Sequence, residues 1–122
     1  MTGGTRMANP KKNPCHGLVV ERREAGRVTY TLECHGDCDT GDCKIRSETD
    51  HHGTKTEWCG CDDGVRGCNI YIETDARGRQ HIDCFTLGCD EGYECKLVEH
   101  GRVEHDGVTI IHWACACVKI EK

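Results

Sequence analysis

The chain has 122 residues, twelve of them Cys, and a formal charge of −5. Leu, Ile, Val and Phe together number 20, a fraction at which apolar burial alone does not hold a chain folded, so another source of stability is required. The acidic balance excludes general nucleic-acid affinity, and no apolar run approaches the roughly 18 residues of a membrane span.

Residues 1–14 read as an extended basic arm. They hold Arg6, Lys11 and Lys12 with two Pro and no acid, a charge of +3 against −8 on the rest of the chain. The arm has no apolar centre of the kind a signal peptide carries.

From Cys15 onward the chain alternates long and short cysteine spacers. The long spacers are rich in Val, Ile, Thr and Tyr and partly alternate, so each reads as a β-hairpin. Four predicted turns share one form, three residues and then Gly: Arg23–Gly26, Asp50–Gly53, Asp75–Gly78 and Glu104–Gly107. A type I turn followed by Gly at positive φ fits that form. Folding about these turns sets Cys15 near Cys34, Gly17 near Leu32 and Val19 near Tyr30 in the first hairpin. In the third it sets Cys68 opposite Cys84 and Ile70 opposite Ile82. No segment of ten or more residues shows a 3.6-residue period, so no helix is predicted.

The cysteines mark a tandem duplication. Cys15, Cys34, Cys38, Cys43, Cys59 and Cys61 are followed by Cys68, Cys84, Cys89, Cys95, Cys115 and Cys117 with the same order of spacings: long, short, short, long, single. The loops Cys34–Cys43 and Cys84–Cys95 are both acidic and contain Gly. Trp58 and Trp113 stand beside Cys59-Gly60-Cys61 and Cys115-Ala116-Cys117, at what read as corresponding places. The predicted protein is all-β: a small disulfide-rich tandem duplication with two lobes, each of two β-hairpins joined by a Cys-rich loop. The boundaries are the arm at 1–14, a first lobe at 15–64 and a second at 65–122.

Six cysteines per half allow three bridges in each. A bridge closing about 15 residues contributes about 3 kcal/mol by the chain-entropy relation, enough for three per half to replace a missing core. Two cysteines separated by one residue in a strand point to one face with Cα atoms about 6.5–7 Å apart, so they reach different partners. Six cysteines permit 15 pairings, and only confinement within each half is expected. The competing reading is zinc held by four thiolates per half. Against it, no Cys-x2-Cys knuckle is present, and the loop spacings shift by one residue between halves.

None of the eight His recurs at an equivalent place in both cysteine frameworks; His16 aligns with Asn69 and His35 with Phe85. Ser47 is the single Ser, and no nucleophile–base pair, phosphate loop or His-Glu-x-x-His motif is present. The expected function is therefore not enzymatic and needs no cofactor or metal. It is a structural, self-assembling building block of an extracellular or cell-surface filament, coat or layer, with self as partner and no nucleic acid. The arm residues Arg6, Lys11 and Lys12, with Trp58 and Trp113, are the expected subunit contacts. One alternative is a monomeric secreted binder, a protease inhibitor or toxin-like ligand presenting Lys44-Ile45-Arg46 as a bait loop. The other is an intracellular zinc-binding protein.

Overall fold

The computed structural model describes residues 14–121. The arm through residue 13, with Arg6, Lys11 and Lys12, lies outside the described residues. Eight strands follow in order: β1 (His16–Glu24), β2 (Arg27–His35), β3 (Lys44–Thr49), β4 (Lys55–Gly60), β5 (Cys68–Thr74), β6 (Gln80–Thr86), β7 (Tyr93–His105) and β8 (Val108–Lys119). Among the described residues there is no helix. The strands form two four-stranded antiparallel sheets, ordered β2-β1-β8-β7 and β3-β4-β5-β6.

The duplication governs this topology. Moving each strand four places along the repeat turns one sheet order into the other, read backwards. Each sheet therefore holds one hairpin from each half, joined along the seams β1–β8 and β4–β5. The two halves share both sheets, a point the sequence leaves open.

The turns take two forms rather than one. At the first and last, Glu24 pairs with Arg27 and His105 with Val108, leaving two-residue loops. Ala25 and Gly26 have φ of 53° and 79°, and Asp106 and Gly107 have 53° and 81°, as a type I′ turn requires. The middle two keep the expected form. Gly53 N donates to Asp50 O and Gly78 N to Asp75 O, with both glycines at positive φ. The Asp side chain selects this wider loop: Oδ1 of Asp50 accepts from the amides of His52 and Thr54, and Oδ1 of Asp75 from Arg77 and Arg79.

The hairpin registers accordingly differ by two residues from those expected. Gly17 faces Cys34 and Val19 faces Leu32, while Ile70 faces Cys84 and Ile72 faces Ile82. In the first hairpin the shorter turn moves the pairing. In the third the loop centres on Arg77 rather than Ala76. An even shift keeps every side chain on its expected face, so the apolar set still points inward.

The core is small. Val19 and Leu32 of the first sheet meet Cys59, Ile70 and Ile72 of the second. Gly17 lets the sheets close here, since a Cβ at that position would lie 2.9 Å from Ile70 Cγ2. Eight hydrophobic residues are buried among those described, and two of them are half-cystines.

Candidate functional site

All twelve cysteines are paired, within each half and in one order. Cys15–Cys43, Cys34–Cys59 and Cys38–Cys61 repeat as Cys68–Cys95, Cys84–Cys115 and Cys89–Cys117, so first joins fourth, second fifth and third sixth. Cys34–Cys59 and Cys84–Cys115 each tie one sheet to the other. Neighbouring bridges stack: the sulfurs of Cys15, Cys38 and Cys61 lie within 4.8 Å of one another, as do those of Cys68, Cys89 and Cys95. These are clusters of bonded sulfur. None of the twelve cysteines is a free thiol.

The two tryptophans do not correspond. In the cysteine framework Cys59 matches Cys115, so Trp58 matches Ala114 and Trp113 matches Glu57. A one-residue offset puts the rings on opposite faces of their strands. Trp58 lies on the outward side of its sheet, edge-on to Phe85, and the Arg66 guanidinium stands 4.1 Å from its ring centroid. Arg66 also pairs with Glu48 at 3.2 Å, so the ring is covered and 8% exposed. Trp113 packs against the core and donates its indole N–H to Glu21 Oε1 at 2.7 Å. Both rings are engaged inside the fold.

Glu21 is 3% exposed and also pairs with Arg23. Burial, reinforced by the Glu21 charge, pushes the Tyr30 hydroxyl above its ordinary range. Asn69 is the second buried polar group. Its Oδ1 accepts from the amides of Gly17 and Ile70, and its Nδ2 donates to Cys59 O. It thereby joins β1 of one sheet to β4 and β5 of the other. Sequence reasoning missed both groups. Glu21 was detectable, since it shares a strand face with Gly17 and Val19; nothing in the sequence marks Asn69.

Carboxylates gather at the cysteine loops. The first loop carries Asp37, Asp39 and Asp42 and lies against Asp62, the second Asp90, Glu91 and Glu94. A side-chain hydrogen bond from Arg46, 2.6 Å away, holds the Asp62 carboxyl below the usual carboxylate range. The arm joins the body at the first loop, where Pro14 bridges Asp37 and Cys15 N donates to Asp37 O.

The proposed bait, Lys44-Ile45-Arg46, is not a loop. It forms the start of edge strand β3, paired to β4, with Arg46 tied to Gly60 O and Asp62. The groove lined by Glu48, Arg66, Tyr71, Glu73 and Phe85 has its carboxylates engaged, Glu48 with Arg66 and Glu73 with His81. The free sheet edges are β2, β7, β3 and β6. The longest, β7, has 13 residues and an irregularity between Glu99 and Gly101.

Set against known proteins, the chain matches no family model, no curated protein and no solved structure. Its function has to be read from its own geometry.

Proposed function

We propose that the chain is a non-catalytic building block of an extracellular or cell-surface assembly, a filament, coat or layer, in which the N-terminal arm contacts a neighbouring subunit. The observation that carries this reading is six bridges pinning a thin sandwich whose charge is split between a basic arm and an acidic body. Disulfide density of this order is typical of oxidising compartments, where a cross-linked unit keeps its shape without a large core. The arm leaves the body beside one acidic loop, and the duplication supplies a second, around Asp90, Glu91 and Glu94. A neighbour's arm seated on that second loop makes a head-to-tail contact, which propagates as an open filament unless its rotation closes a ring.

The test is a full-length variant with Arg6, Lys11 and Lys12 changed to Glu, alongside a chain lacking residues 1–13. Both are expected to keep zero free thiols and the β-sheet circular dichroism of the parent while losing high-mass assemblies at low salt. Normal assembly by either protein refutes the arm contact.

A further inference from the structure

Cys117 is the one exposed cysteine of the twelve, all of which are among the described residues; the other eleven are half-buried or buried. It lies near the end of β8, and its bridge partner Cys89 lies in the acidic loop of the second half. The sulfur of Cys89 is within 4.8 Å of both sulfurs of the Cys68–Cys95 bridge. The sulfur of Cys95 is in turn within 4.8 Å of both sulfurs of Cys84–Cys115, the bridge that joins the two sheets. One exposed sulfur thus heads a continuous row of three bridges that reaches Cys84, which is 7% exposed.

The first half stops short of this. Cys15 clusters with Cys38 and Cys61, so its first and third bridges also lie side by side. Among the described residues no such cluster includes Cys34 or Cys59, and the third bridge has no exposed sulfur. The duplication has thus diverged in its sulfur chemistry: the inter-sheet bridge stands apart in one half and is connected to the surface in the other.

We propose that Cys117 is a site of modification by a small thiol, and that the bridges of the second half relay the exchange inward. Disulfide exchange proceeds by thiolate attack on one sulfur while the other leaves, and access selects the sulfur attacked. A small thiolate attacking Cys117 forms a mixed disulfide there and expels Cys89 as a thiolate. Cys89 attacks Cys68, forming Cys68–Cys89 and expelling Cys95; this choice of sulfur puts the leaving thiolate beside the next bridge. Cys95 then attacks Cys84, forming Cys84–Cys95 and expelling Cys115, which takes up a proton. Cys115 is the poorer target, since Cys95 pairs with Cys117 and so stands diagonal to Cys115, about 7–8 Å between Cα atoms, beyond the reach of a relaxed bridge. Each step breaks one S–S bond and makes one, so the thiol is the only reactant, and the product holds one adduct and one new thiol. The thiolate freed at each step already lies beside its target, an advantage of proximity that an external thiol lacks. Buried Cys84 therefore exchanges without meeting solvent. This site is separate from the arm contact proposed above and does not depend on it.

The test is brief exposure of the native full-length protein to cysteamine, a monothiol, followed by trapping with N-ethylmaleimide and mass-spectrometric mapping of bridged and labelled peptides. The first adduct is expected on Cys117, together with Cys68–Cys89 and Cys84–Cys95 peptides, maleimide label on Cys115, and all bridges of the first half intact. Replacing Cys89 and Cys117 together by Ser removes the entry. Cys68–Cys95 and Cys84–Cys115 are then expected to open about tenfold more slowly, since only half-buried or buried sulfurs remain open to attack. The paired Cys38→Ser, Cys61→Ser variant should leave that rate unchanged. The proposal is overturned by a first adduct on any other cysteine, by no adduct at all, or by label that stops on Cys89 or Cys95. Unchanged opening of these bridges in a folded Cys89→Ser, Cys117→Ser protein overturns it too. None of these results touches the low-salt test of the arm.

Discussion

Removing Cys38–Cys61 by paired Cys→Ser substitution should cost less than its sequence separation of 23 suggests. While Cys34–Cys59 remains, the ring closed by Cys38–Cys61 runs through residues 34–38 and 59–61, about eight residues, worth about 2.5 kcal/mol by loop closure. Cys15–Cys43 has no such shortcut. Its 28-residue separation closes a full loop, worth about 3.6 kcal/mol. All four cysteines are half-buried, so the serines leave little void and closure entropy decides the ranking. A cycle between the Cys34–Cys59 and Cys38–Cys61 deletions should then be non-additive by about 1 kcal/mol, because losing one returns the other to its long loop. The assay is guanidinium unfolding without reductant, with thiols counted to confirm the remaining bridges. The reasoning is refuted if deleting Cys38–Cys61 costs more than deleting Cys15–Cys43, or if the cycle is additive.

Asn69→Ala should destabilise by about 2–4 kcal/mol in the same assay, since it strands the Gly17 amide and the Cys59 carbonyl in a buried site; a loss under about 1 kcal/mol would show that the seam does not depend on this side chain. Acid should weaken the middle turns. Backbone hydrogen bonds, from Thr54 to Asp50 and from Arg79 to Asp75 first of all, hold both carboxyls below their ordinary value. A depressed folded pKa means the stabilisation is complete above the unfolded carboxylate range, about pH 4–5, and is lost as pH falls through the folded value. The melting temperature should therefore be flat above about pH 5 and fall in more acid solution, less steeply for Asp75→Asn; an equal slope in that variant would count against this turn as a source.

Much of the fold is legible in the residues alone. Cysteine spacing suffices for the duplication and for bridges confined to each half, and alternating β-branched runs around Gly-ended turns for eight strands in four hairpins, because each signal is local. The turn forms are legible in principle too: Asp50 and Asp75 begin the wider loops, while Arg23 and Glu104 begin the segments that close on two residues. The mismatch of Trp58 and Trp113 follows from counting against the cysteines, where one residue changes the face. The candidate surfaces are less accessible. The Arg66 cover over Trp58, the Glu21–Trp113 hydrogen bond and the Asn69 seam join residues from different hairpins, and strand alternation specifies a face without specifying what lies across it.

By itself, then, the amino-acid order determined an all-β chain, twice repeated, cross-linked by its cysteines and divided into a basic arm and an acidic body. Only the folded arrangement decided that β1 pairs with β8 and β4 with β5, that each bridge skips two cysteines to the third after it, and that Arg66 covers Trp58. Those features depend on which hairpins become neighbours. Neighbourhood across a sandwich is settled by packing both sheets at once, over separations no local pattern reports.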